Sequence, residues 1–137
     1  MPNRDEVFAT VKSCLVEALG VSPDAIAPDV SLIGDLEAES IDFLDIVFRL
    51  ENAFHIEIQR GELFPQEILR DPANVNQGKI TEAGVAKLRE KFSFTPLAGL
   101  TIDTPVTKFT NEMLTVGMIV DYVESKLNQT VGAAESA

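Results

Sequence analysis

The sequence predicts an all-α bundle of three main helices and one short helix, with a partly helical insertion. Three segments carry apolar residues at helical spacing, namely Asn3–Leu19, Ser40–Phe54 and Thr115–Leu127. Each begins at a residue whose side chain can cap a helix. Apolar residues make up 45% of the 137 residues, which is ordinary for a soluble chain with one modest core. We therefore expect a single domain.

Composition excludes several classes of function. The net charge is −11, which argues against nucleic-acid binding and predicts partners with basic surfaces. One cysteine, Cys14, and one histidine, His55, leave neither a disulfide framework nor a Cys/His zinc site. No apolar run reaches transmembrane length, and residues 1–6 do not form a signal peptide. We expect a soluble, cytoplasmic protein without a membrane span.

The first helix and the loop after it are both predicted to contribute to the core. Asn3 can cap the helix, and Gly20 ends it. Ser22-Pro23 starts a short turn in the loop. The loop is too apolar to run free, so it is predicted to be pinned across the helices. Its apolar residues are Ile26, Val30, Leu32, Ile33 and Leu36.

The second helix is predicted to begin with Ser40 as its N-cap and to bury Leu44, Val47, Leu50 and Phe54. Position N3 is then Phe43, so no capping box is expected. A hydroxyl at a helix start is also well placed to carry a phosphoester, because free N–H groups and the helix dipole favour an anion there. Taken alone, a serine at a helix start is more often an ordinary cap than an attachment residue.

The run Gly34-Asp35-Leu36, followed by Glu39-Ser40-Ile41-Asp42 and an amphipathic helix, resembles the acyl carrier proteins and their peptidyl-carrier relatives. The usual Asp-Ser-Leu of that family reads Glu39-Ser40-Ile41 here. The resemblance implies that a phosphopantetheinyl transferase attaches 4'-phosphopantetheine to Ser40, and that the terminal thiol holds an acyl group as a thioester. It also implies that the protein is not an enzyme.

A docking surface is predicted on the outward side of the second helix. Ile41 and Phe48 lie off the predicted buried stripe, among acidic residues, which is typical of a docking patch. From the residues alone, a solvated acidic face is equally open. The resemblance implies contact with basic patches on partner enzymes. The residues assigned to docking are Glu37, Glu39, Ile41, Asp42, Asp45 and Phe48.

The inner faces of the second and last helices have two interpretations, a packed core or a core that also sheathes an apolar acyl chain. The last helix is predicted to begin after its cap, Thr115, with Leu114 and Ile119 as a hydrophobic staple. The residues assigned to this core or acyl pocket are Leu44, Val47, Leu50, Phe54, Val116, Ile119 and Val120.

The region from about residue 59 to 112 departs from the family and is predicted to be an insertion into a carrier body made of 3–58 and 113–127. Its seven basic and seven acidic residues cancel, so the rest of the chain carries the whole net charge of −11. Gln66–Arg70 suggests a further turn or short helix, and Thr81 is predicted to cap a longer helix. Ser93–Phe109 is predicted to be an ordered loop. Residues 128–137 are predicted to form a flexible tail.

The predicted function is a specialised acyl carrier for fatty-acid, lipid or secondary-metabolite synthesis, acting as a monomer. Its expected partners are the transferase and enzymes that load, condense or transfer acyl groups. One alternative is an unmodified protein of the carrier fold that serves as a binding or regulatory subunit. Another is a small acidic hydrolase or metal-binding protein, although the acids lack the spacing of an EF-hand loop and no metal site is predicted.

Overall fold

The computed structural model describes residues 3–59, 63–95, 97 and 99–136, without the side chains of Ser40, Gln66 and 129–136. The predicted all-α class is confirmed, with one small sheet added. The helices are α1 (Arg4–Leu19), α2 (Ser40–Phe54), α3 (Gln66–Arg70), α4 (Glu82–Lys91), α5 (Val106–Lys108) and α6 (Val116–Ser136). A π-helical turn, Phe109–Met113, follows α5.

Helix α1 packs against both α2 and α6. Its predicted ends are confirmed, because the Asn3 side chain accepts the Glu6 N–H and Gly20 adopts the left-handed conformation. Near its start, Arg4 pairs with Asp121 at 2.9 Å and with Glu124. Within the part of the chain that the structure describes, no helix combines the length and apolarity needed to cross a membrane.

The loop between α1 and α2 is held by backbone hydrogen bonds to the start of α6. The Leu32 N–H donates to the Leu114 carbonyl at 2.9 Å, and the Val116 N–H donates to the Val30 carbonyl at 2.9 Å. The buried apolar residues of this loop are Ile26, Leu32, Leu36 and Ala38. The predicted pinning of the loop is therefore confirmed, and the segment that leads into α2 is fixed from both sides.

The sheet is a hairpin of β1 (Val75–Asn76) and β2 (Lys79–Ile80), paired antiparallel. Its two turn residues, Gln77 and Gly78, have φ values of 52° and 76°, which is the geometry of a tight type I′ turn. Strands of two residues are too short to show an alternating pattern, so the sequence does not predict them. The helix predicted after Thr81 is confirmed as α4, with Thr81 Oγ1 accepting the Gly84 N–H at 3.2 Å.

Helix α6 begins as predicted, because Thr115 Oγ1 accepts the Met118 N–H at 3.2 Å. Its inner face is buried at Val116, Ile119, Val120 and Val123. The helix continues to Ser136, beyond the predicted end at Leu127. Residues 128–136 contain no proline and only one glycine, so nothing in them stops a helix.

Candidate functional site

The segment before α2 owes its shape to the Gly34-Asp35 part of the motif. The Ser31 N–H donates to Asp35 Oδ2 at 2.9 Å, and the Asp35 N–H donates back to Ser31 Oγ at 3.0 Å. A β-carbon on Gly34 would lie 2.3 Å from the backbone carbonyl oxygen of Asn111, which leaves room only for glycine. These two residues therefore fix the approach to α2, and their presence has a structural cause.

Helix α2 starts at Ser40, as predicted, but its N-cap is Glu39 rather than Ser40. Asp42 Oδ2 accepts the Glu39 backbone N–H at 2.8 Å, which is the reciprocal bond of a capping box. The prediction that Ser40 caps the helix without a capping box is therefore wrong, because the acids on either side supply the cap. The Ser40 hydroxyl lies outside the described atoms. Its neighbours Glu39 and Ile41 are exposed, so this end of α2 faces solvent.

The inner face of α2 is displaced from the predicted one. Phe43, Ile46 and Leu50 are buried, whereas Leu44, which was assigned to the core or acyl pocket, is 76% exposed. The assignment of Leu44 to the interior is wrong. Apolar residues occupy so much of α2 that more than one stripe fits the helical period, and the packing partners select one. The remaining α2 residues of that assignment are Leu50, fully buried, and Val47 and Phe54, partly buried.

The outer face of α2 carries a second stripe, made of Ile41, Leu44 and Phe48, which are 72%, 76% and 63% exposed. We call these three residues the outer stripe. They follow the same i, i+3, i+7 spacing as the buried face, two residues out of phase, which rotates them by about 200°. The predicted exposure of Ile41 and Phe48 is confirmed. Leu44, which the helical spacing placed on the inner face, joins them.

Acidic residues surround the outer stripe, and one cation is set among them. Arg49 Nε lies 3.1 Å from both carboxylate oxygens of Asp45, and Arg49 Nη1 lies 2.9 Å from Glu17 on α1. The hydrogen bond to Asp45 and the nearby charge of Glu17 raise the pKa of Arg49. Glu37 is exposed in a left-handed conformation with φ 57°. Of the predicted docking acids, Asp45 is thus partly neutralised, and Asp42 also caps the helix.

The α6 residues that were predicted to form the core or acyl pocket are buried. Val116, Ile119 and Val120 are at most 1% exposed.

The surface carries clefts away from these residues. One of about 370 Å³ lies between α1 and α2, beside Cys14 and Phe48. The other, of about 550 Å³, is lined by Phe94, Asp121, Glu124, Ser125 and Asn128.

Comparison with known proteins assigns this site to a family. A family model described as a phosphopantetheine attachment site matches residues 9–70, a segment that contains Ser40. The acyl carrier protein of Thermotoga maritima is 36% identical over 63 residues, which are 46% of this chain and 78% of that protein. That of Campylobacter hominis is 46% identical over 57 residues, 42% of this chain and 72% of that protein. That of Campylobacter fetus is 38% identical over 72 residues, 53% of this chain and 94% of that protein.

The fold, the exposed start of α2 and the matched segment define a small helical carrier of phosphopantetheine. The chain belongs to the acyl carrier protein family. It is a carrier and not an enzyme, and its cofactor is covalently attached 4'-phosphopantetheine. It works with a phosphopantetheinyl transferase and with enzymes that handle acyl groups. The described residues fit the cofactor, because both neighbours of the helix-opening serine are exposed and leave the helix start open to an arm.

Proposed function

We propose that Ser40 is the attachment residue and that this protein passes acyl groups between enzymes as thioesters. The observation that carries the proposal is the start of α2, where Ser40 is the first helical residue between the exposed residues Glu39 and Ile41. The backbone N–H groups of a first helical turn favour a phosphate there. Bound at this position, the cofactor supplies a thiol that holds an acyl group as a thioester.

Coenzyme A is the only co-substrate that attachment to Ser40 requires. The Ser40 oxygen forms a bond to the pantetheine-bearing phosphorus of coenzyme A. The phosphoanhydride bond breaks, and 3',5'-ADP leaves with its electron pair. A base of the transferase or solvent takes the serine proton. The product is a phosphodiester, which keeps one negative charge at the helix start.

The outer stripe with its acidic border is proposed as the docking surface. Three of the four large apolar side chains that are exposed among the described residues lie on this one helix face. An exposed apolar patch among acids fits a partner with an apolar pocket inside a basic rim. The acids proposed for the border are Glu37, Glu39, Asp42 and Asp45. A phosphopantetheinyl transferase and enzymes that load, condense or transfer acyl groups are the proposed partners.

The buried residues that the sequence predicted to form a core or an acyl pocket are proposed to form only the core. Leu50, Val116, Ile119 and Val120 are at most 1% exposed, which fits a packed interior. We further propose that the protein acts as a cytoplasmic monomer in fatty-acid, lipid or secondary-metabolite synthesis. Fractionation of the native host and the acyl mass of the loaded protein test the location and the pathway.

The attachment is tested by intact mass after incubation with coenzyme A and a phosphopantetheinyl transferase. We expect the wild type to gain the mass of one phosphopantetheine and Ser40→Ala to gain nothing. Ser13→Ala is the matched control, since Ser13 is an exposed serine on α1 and its removal should leave the gain intact. No gain by the wild type with several transferases would instead favour an unmodified binding or regulatory subunit.

A further inference from the structure

Two stacked aromatic rings are buried one turn after the start of α2. Phe43 lies three residues after Ser40, and its ring stacks on that of Phe64, with centroids 4.3 Å apart and planes 18° from parallel. Each of the two side chains is only 6% exposed. Offset-stacked rings at this separation are a favourable aromatic arrangement. The rings therefore join α2 to the segment before α3 beside the attachment residue.

Residues beyond the family match are hydrogen-bonded to α3, the helix that follows Phe64. Phe64 is flanked by two buried residues, Leu63 and Pro65, and α3 begins directly after them. Asn74 is 1% exposed, and its Nδ2 donates to the Ile68 carbonyl in α3 at 3.0 Å. The backbone carbonyl of Asn74 accepts the Thr81 N–H at 2.9 Å, next to α4. The segment after residue 70 thus braces α3, which begins two residues after Phe64.

The inner face of α2 stays buried beyond Phe43. Ile46 and Leu50 are both fully buried. The cleft between α1 and α2 and the cleft beside Phe94 are not lined by Phe43 or Phe64. Protein interiors contain few voids larger than a water molecule. Phe43 is the first buried side chain described after Ser40 in α2, so we expect an acyl chain that enters from the start of α2 to meet the stacked pair first.

We propose that the stacked pair of Phe43 and Phe64 excludes the carried chain from the bundle interior, which suits this carrier to short or polar acyl groups. The proposal rests on Ser40 being the attachment residue. A long aliphatic chain kept outside the core stays in water, and every exposed methylene makes that state less favourable. A short or polar group has little apolar surface to shelter. The nearest exposed apolar surface described along α2 is the outer stripe.

The test compares acetyl and hexanoyl forms of the protein, made with the transferase from the two acyl-coenzyme A thioesters. In the wild type we expect the two forms to melt within about 1 °C of each other, and the amide resonances of Leu50 and Val120 to coincide. Phe64→Ala leaves an apolar cavity the size of a benzene ring, and such cavities bind apolar groups. In that variant the hexanoyl form should melt about 3 °C or more above the acetyl form.

The control is Phe92→Ala, which removes an equally buried ring from the end of α4. It should lower the melting temperatures of both forms alike, and so should Phe64→Ala if Phe64 were merely structural. Should Phe64→Ala not fold, Phe64→Leu removes the stack with a smaller loss of volume and should give the same difference on a smaller scale. Hexanoyl stabilisation of the wild type, or none in either Phe64 variant, overturns the role of the pair. Failure of acyl transfer to Ser40 overturns the proposed function as well.

Discussion

The two faces of α2 have the same composition and opposite environments. Each carries three large apolar residues at i, i+3 and i+7. The inner face is Phe43, Ile46 and Leu50, and the outer stripe is Ile41, Leu44 and Phe48. The inner residues are at most 6% exposed, whereas the outer ones are at least 63% exposed. Since the residue types match, the difference in exposure assigns the inner face to the core, and it supports our proposal that the outer stripe is a docking surface.

The largest expected effect is on stability, in a matched pair of leucine deletions. Leu50→Ala should lower the free energy of unfolding by about 2–5 kcal/mol, because it leaves a cavity in the core. Leu44→Ala should change it by less than about 0.5 kcal/mol, because the side chain is already in water. Urea unfolding of both variants measures the two values. Similar losses at both positions would contradict the assignment of the two faces.

The second largest effect is expected on partner recognition, and only for substitutions in the outer stripe. Phe48→Ala should lower kcat/KM for modification by the transferase about 10-fold, as expected when an aromatic anchor is lost, and leave stability nearly unchanged. Ile102→Ala is the control, since Ile102 is also exposed, at 54%, but lies outside α2 in the predicted insertion. An equal loss in both variants would show that general surface apolarity, and not the outer stripe, is what the partner binds.

These two faces also show what the sequence can and cannot predict. It predicted the bounds of α1, the start of α6, the pinned loop and the position of Ser40 at the start of α2, since each depends on local caps and spacing. It assigned Leu44 to the wrong face. A helix with apolar residues on two sides fits two phases of the same period, and only tertiary contacts decide between them.

Three further features were not predicted from the sequence. The Phe43–Phe64 stack joins residues on separate elements, and the capping box needed Glu39 rather than Ser40 as the cap. An acid before the serine fits both an attachment motif and a cap, so the sequence could not separate the two roles. The hairpin was too short to predict from alternation.

A smaller effect is expected at the helix start, which sets the phase of both faces. Asp42→Ala removes the acceptor of the Glu39 N–H and should cost about 1 kcal/mol of stability. Asp45→Ala removes the same charge one turn later without touching the cap, and should cost less than about 0.5 kcal/mol. Thermal unfolding of the two variants separates a cap from a surface acid. Equal costs would mean that the loss of charge, and not of the cap, explains the result.

The smallest effect concerns the cation beside the outer stripe. Arg49→Gln frees the carboxylates of Asp45 and Glu17, so a basic partner should bind a few-fold more tightly at low salt and equally well at high salt. Its stability should change by less than about 1 kcal/mol. Lys87→Gln makes the same change of charge on α4, where Lys87 is exposed, and should leave binding unaltered. Tighter binding by both variants would point to net charge alone.

The most direct test is peptide mapping by mass spectrometry of the protein purified from its native host. We expect a phosphopantetheine, free or acylated, on the peptide that contains Ser40 and on no other peptide. The mass of the acyl group would identify the cargo in the same measurement. A peptide that carries Ser40 unmodified in every preparation, or an arm on a different serine, would contradict the central claim.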